Sequence, residues 1–328
     1  MPRYALFCTG FSLSLLGRAH GDSTTLTVPD DGVCALQATS HLHVQDTRDA
    51  EGEAGMSKAQ LPAIVVSAFQ KVAEDARSKL VAGSAKGASP LGADVFSAID
   101  VSLPLAPPIL RFSPGSDYVD GEKNIVGMQV MSKSPCLTYG LGVSPAASHM
   151  TSSFETQMAN VCETHAFDCT VSATDPNVYK KPFHFHQWCI GRSEDTSKAD
   201  DSMSKTGYLK EGDVKAKSME FKSLAQTMHE LSHKHIDLLK FDIEGFEWKL
   251  FEDDILHATD ANLPAQLSFE LHTQGANKFW VPPENVAGKG YEEVNSLFLK
   301  LFDLGYRVAS KQVHSLDDRC AEFILVKL

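Results

Sequence analysis

Between His235 and Leu250 the chain reads H-I-D-L-L-K-F-D-I-E-G-F-E-W-K-L. The apolar run Ile236 to Ile243, broken by Asp242 near its end and closed by Glu244-Gly245, predicts a buried parallel strand and a tight turn. Phe246, Leu250 and Phe251 then recur at helical spacing, which predicts a helix returning across the sheet. The same alternation begins at Pro135. Cys136 to Gly142 predicts a first strand running into a glycine turn. A helix follows from near Ser152, with Phe154, Met158 and Val161 as its buried stripe and Ser152 and Glu155 at capping-box spacing. T-H-A-F-D at 164–168 is a second strand ending in an acid, and F-H-F-H-Q-W-C-I-G at 183–191 a third with period-two alternation. The polar stretch 192–217 is a long connection. Phe221, Leu224, Met228 and Leu231 mark a helix leading into the central strand, and Gln266 to His272 is a fifth strand. A helix through Tyr291, Val294, Phe298 and Leu301 stops at Gly305. The stretches 306–313 and 320–328 read as an antiparallel hairpin at the sheet edge.

The N-terminal third is patterned differently. Arg3 precedes a moderately apolar run, Tyr4 to Leu16, and then small residues Ala19 and Gly21, the layout of a signal peptide. Cys8, Thr9, Gly10, Ser12 and Ser14 weaken that run, so residues 1–21 stay open between a secretory signal and an ordinary start. The run is too short to span a bilayer. No N-x-S/T acceptor is present anywhere. Residues 22–60 lack sustained periodicity and read as a flexible leader. Leu61 to Leu80 is an amphipathic helix with Pro62 in its first turn. It is expected to pack on the main domain, the alternative being a partner or membrane surface. Gly83 to Pro90 and P-L-A-P-P at 104–108 read as linkers. The expected organisation is therefore leader and accessory helix over 22–115 and an α/β domain over 134–328.

Composition adds limits. Apolar and charged fractions of 43% and 22% belong to an ordinary globular chain. A formal charge of −12 and the lack of Lys/Arg-rich runs argue against a nucleic-acid surface. The seven cysteines include no C-x-x-C pair. Several fall within predicted strands, where Cys acts as a small buried apolar residue, and no disulfide framework is expected.

The segment I-D-L-L-K-F-D-I-E-G-F-E-W, with a first strand reading P-C-L-T-Y-G-L-G, resembles FkbM-like class I methyltransferases over roughly residues 134–328. The resemblance implies a Rossmann-like, seven-stranded class I methyltransferase sheet. Here it would carry an N-terminal helical, partly disordered extension. It also implies S-adenosylmethionine as cofactor, with the glycine turn against its methionine part and the end of the third strand, Cys189 and Ile190, bordering adenine. Tyr139 stands near the place where the family's first strand usually carries an acid, and Cys169 replaces the proline that usually follows the second-strand acid.

The residues themselves point to the same places. Gly140 and Gly142 permit close backbone approach to a cofactor. Pro145 occupies the third glycine position of a dinucleotide fingerprint, which counts against NAD. Asp168, ending the second strand, is placed to accept ribose hydroxyls. Asp242 and Glu244, with Glu270 and His272, gather ionisable groups at strand ends, where ligands collect in such sheets. Asp242, Glu244 and His272 are the catalytic candidates. Asp242 with Glu270 or His272 could hold a hard divalent cation, or His272 could serve as a base without metal. No metal ligands are assigned. His229-Glu230-Leu231-Ser232-His233 matches the zinc-protease pattern, but a zincin would also need a third ligand and a cleft, and here the motif ends a helix feeding a buried strand. The expected activity is methyl transfer to oxygen on a small molecule, glycan or protein side chain. The alternative is a methyltransferase-like binding module without turnover.

Overall fold

The computed structural model describes residues 63–88, 94–102, 109–112, 123–126, 135–143, 153–175, 178–190, 220–277, 281–314 and 317–328, and four short strands nearer the N-terminus. The connector at 104–108, the Ser152 cap and the connection 192–217 lie outside these residues. The chain divides into two compact units, residues 1–75 with 102–108, and residues 76–101 with 109–328. In the first, Ala5–Cys8 pairs antiparallel with Cys34–Gln37, and Ser12–Leu15 with Thr24–Thr27. These strands stand where the sequence reading expects a possible signal and a leader. Each covers only four residues, a run too short to outweigh the polar residues around it. Helix α1 is Ala63–Gly83.

In the second unit, β1 (Ile109–Phe112) and β2 (Lys123–Val126) form an antiparallel pair. The elements that follow are β3 (Leu137–Leu141), α2 (Ser153–Met158), β4 (Glu163–Phe167), β5 (His184–His186), β6 (Trp188–Ile190) and β7 (Glu220–Lys222). After them come α3 (Leu224–Glu230), β8 (Leu238–Phe241), α4 (residues 247–257), β9 (Gln266–His272), α5 (Tyr291–Asp303), β10 (Tyr306–Val313) and β11 (Cys320–Lys327). Seven strands make one sheet in the order β10-β11-β9-β8-β3-β4-β5. The strands from β9 through β8, β3 and β4 to β5 are parallel, and β11 runs antiparallel between β9 and β10. The chain winds outward from β3 in one direction and from β8 in the other, so the topological switch point lies between these two strands.

Burial explains the apolar runs. Every residue of β3, β8 and β9 is buried, as expected for strands covered on both faces. Register stacks aromatic rings across neighbouring strands. Phe241 faces Phe269, which faces Phe323, at centroid separations of 4.9 and 5.5 Å. In α4 the middle turn widens to a π-turn over Leu250–Asp254, with the Ile255 amide bonding the Leu250 carbonyl. That lets Leu250, Phe251 and Ile255 all enter the core. Gly305, at φ +95°, ends α5 as expected.

Three expectations are corrected. The third strand is broken after His186: β5 closes the sheet edge, while β6 leaves it and pairs in parallel with β7. An edge strand has no second neighbour to hold it straight. Second, disulfides are present, Cys136–Cys162 and Cys169–Cys189. Their partners lie 26 and 20 residues apart; the β3–β4 register brings the first pair together and the departure of β6 from the sheet edge the second, neither of which local spacing reveals. Cys320 is a free, buried thiol. Third, the accessory reading of 22–115 does not extend to residues 76–101. Leu80, Val95, Phe96 and Ile99 belong to the main core, and Phe96 packs edge-on against Phe323 at 5.6 Å. The α/β unit also takes in β2, where Val126 exchanges two hydrogen bonds with the Gln266 amide, 2.8 and 3.0 Å.

Candidate active site

The carboxyl ends of β3, β4, β8 and β9 bring together Gly142, Asp168, Asp242, Glu244 and His272. Gly142 has φ +78°, and a Cβ there would lie 1.9 Å from the Asp242 carbonyl oxygen. Only glycine permits the end of β3 to pass so close to the end of β8. Lys240, buried in the middle of β8, donates to the Gly142 carbonyl at 2.7 Å and stands 3.4 Å from the buried Glu155 carboxylate. Gly140, directly across from Lys240, makes room for that carboxylate: a Cβ would meet Glu155 Oε1 at 2.7 Å. The space on the Cβ side of Gly140 therefore serves packing against Glu155.

Asp168 is half-buried and holds the glycine turn. One carboxylate oxygen accepts the Val143 amide at 2.9 Å, and the other accepts the Thr170 amide and hydroxyl at 2.8 and 2.6 Å. Burial raises its pKa against the opposing pull of these bonds and of Lys240. A carboxylate offers about four acceptor positions, so these three bonds leave room for a ligand hydroxyl. The Cys169–Cys189 disulfide ties the end of the third-strand stretch beside this loop. The Cys189 sulfur is consequently committed to that bond, and Ile190 is half-buried next to it. Trp188 is covered by the Lys222 ammonium, 3.5 Å from the ring centroid. Tyr139 does not face the strand ends. Its ring is fully buried and its hydroxyl meets His233 Nδ1 at 2.6 Å, so its expected cofactor contact is not formed by this side chain.

Past the central strand, Glu244 adopts φ +53° and Gly245 φ +92°. This turn is braced by Glu247, fully buried, whose carboxylate accepts the Ile243 and Gly245 amides at 2.8 and 3.0 Å. The His272 imidazole sits beneath it, 3.3 Å from Glu247, 3.7 Å from Glu244 and 3.8 Å from Glu270. Asp242 completes the group, with a carboxylate oxygen within 4.8 Å of both His272 and Glu247 ligand atoms. From the opposite side the buried Lys123 ammonium reaches Asp242 at 3.3 Å, Glu270 at 3.8 Å, and Glu322 in direct contact.

The charges are strongly interdependent. Burial discourages ionisation of Asp242, but Lys123, His272 and Lys240 outweigh it and hold that carboxyl below its ordinary range. Burial, reinforced by Asp242, pushes Glu270 well above its ordinary range. Burial alone would lower His272; Glu247 and Glu270 reverse this and hold it well above its usual value, as an imidazolium. Lys123 is likewise held charged against burial by Asp242, Glu322 and Glu270. Burial pushes the Cys320 thiol up to about 12. Sequence reasoning brought Asp242, Glu244, Glu270 and His272 to one place but missed Lys123, Lys240 and Glu247. The available signal was a lysine inside an apolar strand.

A parallel sheet reversing direction of winding between β3 and β8, with a glycine turn and carboxylates at the strand ends, defines a class I methyltransferase architecture. The family model described as Methyltransferase domain matches residues 114–327, and the chain belongs to that family. It is 29% identical over 160 residues to human "Probable methyltransferase-like protein 24", covering 48% of this chain and 38% of that protein. The rat protein of the same description is 30% identical over 145 residues, covering 44% and 34%. The chain thus spans little more than a third of the length of these relatives. Among solved structures, the methyltransferase domain of bacterial-CtHen1-C matches with 10% identity and a TM-score of 0.27, over 61% of this chain and 94% of that one. TrmN from Thermus thermophilus matches with 12% identity and a TM-score of 0.25, over 61% and 47%. The FkbM-like label is a finer statement than these comparisons carry.

Proposed function

We propose that this protein is an S-adenosylmethionine-dependent methyltransferase acting on an oxygen of a small molecule, glycan or protein side chain. The observation that supports the reading is the rim of half-buried carboxylates, Asp168, Asp242 and Glu244, around the glycine turn at the switch point. The arrangement suits the cofactor: Asp168 retains an acceptor position for a ribose hydroxyl, and Asp242 and Glu244 stand at the neighbouring strand end. Bound there, S-adenosylmethionine supplies an electrophilic methyl group. Gly142 and Val143 shape the turn that receives it, and Ile190 lies beside the Asp168 loop.

Asp242, kept ionised, is the group able to accept a hydrogen bond from an acceptor hydroxyl and orient it. His272 is held as an imidazolium and so carries no lone pair for a base. It fixes the charge of Asp242, and Glu247 fixes the turn on which Glu244 stands. Calorimetric titration with S-adenosylmethionine and S-adenosylhomocysteine tests cofactor binding. Asp168→Ala is expected to weaken it by about 1.5–3 kcal/mol, the loss of a hydrogen bond to a charged group. Asp242→Asn is expected to lower turnover by about 10²–10⁴-fold with cofactor affinity nearly unchanged. An Asp168→Ala chain with unaltered affinity removes the site assignment. Cofactor binding without methylated product under any acceptor screen favours the binding-module reading.

A further inference from the structure

At the opposite end of the same strands lies a second group of ionisable side chains. Glu163 opens β4, whereas Asp168 follows its last residue, so the two sites are separated by the length of that strand. Glu163 and His165 project from one face of β4, two residues apart. Tyr139 of β3 and His184 of β5 are the register partners of His165, so the three form a row across the sheet. His233 reaches the row from the loop after α3. Ser232, at φ +61°, breaks the helix before it, so His229 and His233 do not share a helical face. The H-E-x-x-H pattern is dissolved by that break, and its last histidine joins β4 instead.

The nitrogens are sorted. His233 Nδ1 meets the Tyr139 hydroxyl at 2.6 Å, and His165 Nδ1 meets His186 Nε2 at 2.9 Å. Each ring therefore turns its Nε2 toward one oxygen of Glu163, at 3.1 Å from His165 and 3.6 Å from His233. The three ligand atoms all lie within 4.8 Å of one another. Metal–ligand bonds of about 2.0–2.1 Å in a tetrahedron put neighbouring ligand atoms about 3.3 Å apart, between the two observed separations. Histidines that bind metals ordinarily have the other ring nitrogen engaged, as both have here. The start of β4 is also anchored, since Cys162 is tied to Cys136 and the Glu163 amide bonds the Cys136 carbonyl at 2.9 Å.

We propose that Glu163, His165 and His233 form a site for a borderline divalent transition-metal ion, Zn²⁺ foremost, with its fourth position open to water or an external ligand. Two imidazoles and one carboxylate suit zinc over magnesium or calcium, which take oxygen ligands. The ion would clamp β4 to the segment entering β8, the strands on either side of β3, far from the methyl-transfer site.

The test is zinc titration of the full chain after dialysis against a chelator, with Co²⁺ absorption as a readout of tetrahedral geometry. One tight Zn²⁺ per chain is expected. Glu163→Gln and His233→Asn change side chains that are 56% and 15% exposed, so they preserve folding better than a change at buried His165. Each is expected to lower affinity by more than about 100-fold, and Tyr139→Phe by about 10–100-fold as the loss of an outer partner. Asp242→Asn is expected to leave zinc affinity unchanged. The proposal is overturned if the wild-type chain binds no zinc, if the Glu163 and His233 variants bind as wild type does, or if Asp242→Asn abolishes binding. These readouts involve neither cofactor nor activity, so they stand or fall apart from the methyltransferase reading.

Discussion

Single residues at this site act through the charges of their neighbours. Asp242 and Glu270 have the same functional group and lie on adjoining strands, yet one is held below the ordinary carboxyl range and the other pushed above it. The difference comes from position relative to Lys123 and His272, since burial disfavours both carboxylates. This has a consequence for stability. Glu270 and His272 bind protons more tightly folded than unfolded, so their stabilising contributions are lost as pH rises from the ordinary values, about 4.3 and 6.5, toward the raised ones. His165 and His186, pushed down chiefly by burial, act in the opposite sense, but only below the ordinary histidine value. The denaturation midpoint is therefore expected to fall as pH rises above about 6.5. Glu270→Gln is expected to flatten that fall, because Gln has no proton to lose. A midpoint that rises with pH over this window, or a Glu270→Gln chain with the wild-type slope, would contradict the charge assignment.

Strands and turns carry the site through cross-links as much as through the sheet ladder. The two disulfides bracket β4, one at its start and one just after Asp168. Closing loops of this size stabilises a fold by about 3 kcal/mol each, through lost freedom of the unfolded chain. The Cys169–Cys189 link also sets the loop that carries Asp168, so its removal should affect ligand binding. A Cys169→Ser/Cys189→Ser chain is expected to lose about 3 kcal/mol in denaturant unfolding and to bind S-adenosylmethionine more weakly. The Cys136→Ser/Cys162→Ser chain should lose similar stability with cofactor affinity unchanged. Equal effects of both pairs on cofactor affinity would show that the second link has no special bearing on the site.

At the scale of the whole molecule, the core of the α/β unit extends well upstream of its first sheet strand. Burying Leu80, Val95, Phe96 and Ile99 is worth about 6–12 kcal/mol at about 1.5–3 kcal/mol per side chain. A typical domain is stable by only about 5–15 kcal/mol. A chain beginning at Gly115 is thus expected to lose near-ultraviolet dichroism while keeping much of its far-ultraviolet signal. Cooperative unfolding of that chain, with intact near-ultraviolet dichroism, would place residues 76–101 outside the folding unit.

Apart from β7, where Phe221 lies in a short strand and not in the expected helix, the order of strands and helices after Pro135 was legible from periodicity, because strands buried on both faces leave long apolar runs and covering helices leave 3.6-residue stripes. The ends of those runs also marked Gly142, Asp168, Asp242 and His272, since polar residues closing apolar strands stand out against their surroundings. What those residues do to one another was not legible. Lys123 comes from a stretch between the expected leader and the expected α/β domain that carries no pattern, Lys240 interrupts an apolar strand, and Glu247 stands at a helix start. Only sheet register brings their charges within ion-pair distance and decides that His272 and Glu270 are both pushed above their ordinary ranges. The same holds for the disulfides and for the meeting of Glu163, His165 and His233. Local sequence governs the conformation of neighbours along the chain, whereas these contacts join residues tens of positions apart, and their distances exist only once the parallel strands are laid side by side.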